Sequence, residues 1–219
     1  KIGANQVNPL ATLIASFAGA WAAFKLQSID KSREIDRSNI AAANRALMVM
    51  MQQANELKLY QKDNIDPQRD HPGRHLSIQA TLPFDLDTLR FDFTSVDFLS
   101  SATEQQLLFE LSIEERRYIE ALKAINARSE MLLTEVQPKL LTTGFNDSVG
   151  YTGTQFISAL GQPTYNKLQR LTDDVIYHVD RTNESICAMK DKFRTAAQKR
   201  YPKAKFVNFE FVGESQPAP

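Results

Sequence analysis

One stretch constrains the fold of this chain more than any other: the apolar run NPLATLIASFAGAWAAFK at residues 8–25. No charged residue lies between Ile2 and Phe24. Asn8 is a favourable helix N-cap, and Pro9 is tolerated at the first helical position because its missing N–H needs no partner there. The strongly apolar part covers roughly 16 residues, close to the lower limit of about 17 for crossing a bilayer. We therefore predict that residues 1–25 form a transmembrane anchor.

Two other interpretations of this run stay open. It would also suit a buried helix of a water-soluble core, or a secretory signal, although Lys1 alone would form the basic n-region of such a signal. If the run spans a bilayer, small side chains that recur every four residues form a ridge on which a second helix packs closely. That partner would be a copy of this chain or another membrane subunit. The ridge consists of Ala11, Ala15, Gly19 and Ala23.

The charges around the run predict its orientation. Lys25, Lys31, Arg33 and Arg37 follow it, whereas only Lys1 precedes it. Positive residues remain on the cytoplasmic side of a membrane, so we expect a single-pass protein of the inner membrane with its bulk in the cytoplasm. The chain has one cysteine and cannot form an internal disulfide, which agrees with a reducing compartment.

Beyond the run, the sequence predicts mainly α structure. Apolar residues at alternating three- and four-residue spacings indicate helices that pack along a seam. One helix would continue from Asn8 to about Lys62, a second would cover about 103–137, and a third about 165–200. We expect residues 26–212 to form a long antiparallel three-helix stalk in the cytoplasm.

Period-two alternation predicts three short strands, near residues 76–82, 89–94 and 206–212. The first helix would leave the membrane, the second would return and the third would leave again. On that topology the strands would meet in a small β-sheet that caps the distal end of the stalk, which gives an α+β class. Residues 139–164 would then lie near the membrane, and residues 213–219 would form a flexible tail.

A basic tract lies at the end of the third helix. We expect it to bind an acidic protein or nucleic acid, since the predicted topology places it far from the bilayer. The alternative is a solvated helix end whose cations complement the helix macrodipole. The tract consists of Lys190, Lys192, Arg194, Lys199, Arg200, Lys203 and Lys205, with Asp191 as its one acidic residue.

Other candidate sites are weak. Asp70, His71 and His75 have a ligand-like spacing, but Pro72 and Gly73 interrupt it, so we predict a solvated loop and no metal. His178 and Cys187 would lie about 13 Å apart along one helix, too far for a nucleophile pair. The formal net charge is +0, which excludes a globally basic nucleic-acid binder. With no catalytic or nucleotide-binding motif present, we predict a non-enzymatic protein without a cofactor.

Two segments carry a resemblance. The stretches FDLDTLRFDFTSVDFLSS at 84–101 and LLFELSIEERRYIEALKAINARSEML at 107–132 resemble parts of uncharacterised bacterial inner-membrane proteins with one N-terminal transmembrane helix. The resemblance implies a bacterial inner-membrane location and brings no activity or site residues with it.

Three functions fit these predictions. The first is a membrane-anchored, non-enzymatic scaffold or adaptor that self-associates through its helices and engages a cytoplasmic partner. The second is an oligomeric effector that perturbs the bilayer when a cytoplasmic ligand binds, for example in phage defence or stress. The third is a helical subunit of a larger soluble complex.

Overall fold

The computed structural model describes residues 9–100, 104–145 and 152–208. Three long helices dominate it, as the apolar spacings predict, and each is close to its predicted length. The helices are α1 (Pro9–Tyr60), α2 (Arg74–Ser77), α3 (Gln105–Met131), α4 (Gln137–Thr142), α5 (Gly153–Leu160) and α6 (Gln162–Arg200). The predicted helical bundle is therefore confirmed.

Two π-helical turns extend the first two long helices. Gln61–Ile65 continues α1, and Leu132–Val136 joins α3 to α4. The second turn precedes Pro138, a residue that we expect to end or kink the helix. A proline lacks the N–H of the normal ladder and clashes with the carbonyl four residues earlier, so a wider turn lets the chain continue as a helix.

The order of the helices in space differs from the predicted one. Asn39 donates to Tyr201 and Gln61 donates to Asp180, so α1 and α6 run antiparallel. The contact between Glu110 and Lys192, and that between Arg128 and Thr172, show that α3 and α6 are antiparallel as well. Consequently α1 and α3 are parallel, and the prediction that the second helix returns beside the first is wrong.

This order requires the chain to return along the bundle after α1, and residues 66–100 follow that course. The backbone N–H groups of Thr81, Phe84 and Phe91 bond to side chains of Ser129, Asn126 and Glu115, at steadily earlier positions of α3. The apolar alternation near 76–82 and 89–94 therefore belongs to a chain that lies against helices. Side chains, and not a neighbouring strand, supply its hydrogen-bond partners.

No β-strand is present in the described residues, so the predicted sheet is wrong. Residues 74–77 are helical and 93–99 form a 3-10 helix, which accounts for parts of the first two predicted strands. Of the third, residues 206–208 are not a strand, and 209–212 lie outside the described residues, as does the tail at 213–219. Val207 N–H bonds to the Asn44 side chain, at the opposite end of the bundle from residues 76–82.

The predicted transmembrane helix is also wrong. Within the three described ranges, no helix carries an apolar stretch sufficient to cross a membrane. Thr12 and Ser16 interrupt the apolar run, the many alanines contribute little apolar area, and charges begin at Lys25. Of the proposed anchor, residues 1–8 lie outside the described ranges.

The core lies between the C-terminal half of α1, α3 and α6. Leu47, Leu57, Tyr118, Leu122 and Phe193 are among its nearly inaccessible side chains. A second, smaller cluster closes the opposite end from Asn39, where residues 137–145 and 152–164 also lie. The prediction that the 139–164 segment lies near the membrane, beside the N-terminal anchor, is therefore wrong for its described residues.

Candidate functional site

The first half of α1 extends away from the bundle. Every described side chain from residue 12 to residue 38 is exposed, and burial begins only at Asn39 and Ile40. Thirty helical residues span about 45 Å at 1.5 Å per residue. An isolated helix in water is stabilised mainly by packing of its apolar face, so this segment needs a surface to pack on.

Bulky apolar side chains occupy one face of this segment. Leu13, Ile14, Phe17, Trp21 and Phe24 all fall within an arc of about 100° on a helix of 3.6 residues per turn. Their exposed fractions range from 59% at Trp21 to 73% at Phe17. We call these five residues the apolar face. Ile14, Phe17, Trp21 and Phe24 have the alternating three- and four-residue spacing of a coiled-coil seam.

The predicted ridge of small residues lies on the other side of the same helix. Ala15, Gly19 and Ala23 are exposed, and a Cβ added at Gly19 would meet nothing within 4 Å. Ala11 is helical, but its side chain lies outside the described residues. None of the elements described in residues 9–100, 104–145 and 152–208 packs on this ridge, so its part in helix packing stays a prediction.

Charged residues of both signs follow the apolar face. Between Lys25 and Arg37 there are four basic and three acidic residues. Lys25 lies 5.8 Å from the centre of the Trp21 ring, and Arg33 pairs with Asp30 at 3.8 Å. We call residues 25–37 the stem; because its charges nearly balance, its net charge is small. Exposed ion pairs of this kind contribute about 0–1 kcal/mol each to stability.

The basic tract lies beside the base of this helix and not at the distal end. Tyr201 bonds to Asn39, which places the C-terminus of α6 where α1 leaves the bundle. Lys190 pairs with Asp191 at 3.4 Å and Lys192 pairs with Glu110 at 2.6 Å, an interaction that lowers the pKa of Glu110. The remaining five cations have no ion pair among the described residues: Arg194, Lys199, Arg200, Lys203 and Lys205.

The loop with two histidines does not form a metal site. His71 Nδ1 accepts a hydrogen bond from Gly73 N–H at 3.1 Å, whereas the His75 ring is buried against Tyr165. The described part of the chain contains no group of three or more His, Cys, Asp or Glu arranged to hold a metal ion. Burial lowers the pKa of His75, so this ring is neutral near pH 7.

Two polar features of the interior have no signal in the sequence. Arg128 is fully buried, and its guanidinium donates to the carbonyls of His75 and Ile78. Glu115 is also buried; it accepts from the Phe91 N–H and pairs with Arg90 at 3.0 Å. Both residues occur in ordinary charged helical patterns, so only the fold of the 78–92 segment over α3 shows that they are inside.

The apolar face itself has a signal in the sequence, since its spacing is visible in residues 13–24. It is hidden there by the alanines, which make the whole run look uniformly apolar. No family model matches this chain, and neither a curated protein nor a solved structure is detectably similar to it.

Proposed function

We propose that this protein is a non-enzymatic scaffold that self-associates through the apolar face of α1. The observation that carries this proposal is the exposure of five bulky apolar side chains on a helix that projects from an otherwise well-packed bundle. Contiguous exposed apolar surface of this kind typically marks an interaction site. When two such helices pair, their apolar faces are removed from water, and this burial is favourable.

The occupant we propose is a second copy of the same helix. Each of the three aromatic side chains buries about 150–250 Å² when it is fully covered. With Leu13 and Ile14 added, the buried area approaches that of a standard protein–protein interface, which is about 800 Å² per partner. The seam spacing of Ile14, Phe17, Trp21 and Phe24 suits knobs-into-holes packing against a like helix. The stem from 25 to 37 has nearly balanced charge, which suits contact with an identical stem better than with a strongly charged partner.

Sedimentation velocity of the full chain tests this proposal. We expect the wild type to be dimeric or larger at micromolar concentration, and the double variant Phe17→Glu/Trp21→Glu to be monomeric. The matched control is Ala15→Glu/Ala23→Glu, which adds the same charge on the opposite side of the helix and should stay associated. A monomeric wild type would refute self-association, and so would dimers that persist in the Phe17/Trp21 variant. Dissociation of the control variant would instead assign the interface to the ridge of small residues.

The scaffold would bind its partner at the basic end of α6, and we propose that the partner presents an acidic protein surface. Five cations there have no ion pair among the described residues. They surround the C-terminus of α6, whose dipole offsets their positive potential only within the last turn of the helix. Acidic groups are interspersed nearby at Asp191 and Glu110, which favours a discrete acidic surface over the uniform charge of a nucleic-acid backbone.

A poly-glutamate peptide and a DNA duplex serve as probes of this end. We expect the peptide to bind with an affinity that falls as salt is added, and Lys199→Glu/Arg200→Glu to abolish the binding. Arg116→Glu, an exposed position on α3, should leave it unchanged. Preferential binding of the duplex would indicate that the partner is nucleic acid and not an acidic protein. If neither probe binds, these cations are only a solvated helix end.

A further inference from the structure

A groove of about 400 Å³ runs along the outer side of α6, where α3 borders it. Arg117 enters it from α3, while Tyr177, His178, Arg181 and Ser185 line it from α6. Small-molecule sites in proteins have volumes of about 300–1,000 Å³, so the groove has room for a ligand of modest size. It lies on the flank of the bundle, separate from both the apolar face and the basic end.

Two guanidinium groups from different helices border this groove. Arg117 uses Nη1 to pair with Glu114 at 2.5 Å, and Arg181 uses Nη1 to pair with Glu184 at 3.4 Å. Each guanidinium has five N–H donors, so most of the donors on both groups stay available for a ligand. The Arg181 pair is long and well exposed, with side chains 66% and 76% accessible, and therefore weak enough for a phosphate to displace.

An aromatic ring completes the groove. Tyr177 is 61% exposed, and its ring lies 5.4 Å from that of His178 in an edge-to-face arrangement. A flat, exposed ring beside arginines is the combination that proteins use to stack a nucleobase while guanidinium groups hold the phosphate.

We propose that this groove binds a nucleoside phosphate. The phosphate would be held between Arg117 and Arg181, where forked N–H donors match its oxygens, and the base would stack on Tyr177. The Ser185 hydroxyl lies at the same groove; it donates to the Thr182 carbonyl at 3.3 Å, and its oxygen would accept a hydrogen bond from a ribose hydroxyl. Glu184 also lines the groove, and Glu114 lies beside it as the ion-pair partner of Arg117. Their carboxylates repel the many phosphates of a polyanion more than the single phosphate of a mononucleotide, which is therefore the ligand that we propose.

Fluorescence anisotropy with a labelled nucleoside monophosphate tests this inference on the full chain. We expect saturable binding, weakened by about tenfold or more in Arg117→Ala and in Arg181→Ala. Tyr177→Ala should weaken binding by about tenfold, and Tyr177→Phe should retain it because the ring is kept. Arg116→Ala, on α3 but outside the groove, is the matched control and should bind normally. Circular dichroism of every variant checks that the bundle is intact.

Competition distinguishes the ligand classes. Unlabelled mononucleotide should compete at least tenfold better than inorganic phosphate, because phosphate gains nothing from the Tyr177 ring. Equal competition by inorganic phosphate would overturn the nucleotide in favour of a simple anion site, and stronger competition by an oligonucleotide would overturn it in favour of nucleic acid. Absence of binding at millimolar concentration, or affinities unchanged in the three groove variants, would overturn the site itself.

Discussion

Replacement of Arg128 by alanine is the most informative test of the fold. The guanidinium donates from Nη2 to Ile78 O at 2.6 Å and to His75 O at 3.2 Å, from Nη1 to Gln79 O at 3.4 Å, and from Nε to Thr172 Oγ1 at 3.0 Å. The side chain thus ties the segment after α2 to both α3 and α6. No carboxylate pairs with it among the described residues, and burial lowers the pKa of this group.

The magnitude follows from the groups that Arg128→Ala would leave behind. Three carbonyl oxygens would lose their donor, and each unsatisfied buried acceptor costs about 1–3 kcal/mol. Water that enters the cavity left by Arg128→Ala would satisfy some of these carbonyls. Removing a buried, poorly solvated cation would also offset part of the lost stability. We therefore expect the free energy of unfolding to fall by about 3 kcal/mol, near the low end of the range for the three acceptors.

Urea unfolding followed by circular dichroism measures this change. Arg116→Ala, an exposed arginine on the same helix, is the control and should change the free energy of unfolding by less than about 0.5 kcal/mol. Native-state hydrogen exchange should show that residues 74–80 lose protection first, since Arg128 holds that segment directly. A loss below about 1 kcal/mol, or loss of protection spread evenly over the bundle, would refute the idea that this cation organises the connection.

Three further predictions concern single positions. The pKa of His75 is lowered by burial, with Arg128 acting in the same direction, so the unfolded chain binds more protons at this site. The free energy of unfolding should therefore decrease as pH falls below about 6.5, and His75→Gln should flatten this part of the profile; an equally steep profile in the variant would exclude His75 as the cause. Gly161 joins α5 to α6 with φ +82° and ψ 143°, a conformation confined almost entirely to glycine. Gly161→Ala should therefore destabilise the protein by about 1–3 kcal/mol in thermal unfolding. The cause would be backbone strain and not a clash, since the atom nearest to the new Cβ lies 3.9 Å away. Gly19 lies inside an exposed helix with open space around it, so Gly19→Ala should instead raise helicity and stabilise the segment by about 0.5–1 kcal/mol; reduced helicity by circular dichroism would contradict this.

The interior polar groups show why sequence patterns miss part of this fold. Glu115 and Arg128 look like exposed members of a charged helix surface, yet both are buried because residues 78–92 cover that side of α3. Tyr118 follows the apolar spacing of its helix, but its partner has no such signal: its hydroxyl bonds to Glu56 of α1, and burial raises its pKa. These contacts join residues 24 to 62 positions apart, a relationship that no local pattern encodes.

The three long helices follow from the amino-acid sequence alone, because the three- and four-residue spacing of apolar side chains and the placement of Pro and Gly act locally. The spacing of Ile14, Phe17, Trp21 and Phe24 is local as well, but the surrounding alanines make the run read as a uniformly apolar membrane span, and the exposed face is recognised only in the structure. The parallel arrangement of α1 and α3, and the position of the basic tract at the base of α1, follow from long-range contacts that no local pattern predicts. The physical reason is that backbone groups of the 78–91 segment bond to helix side chains such as Asn126 and Arg128, which lets an extended connection return along the bundle without a β-sheet.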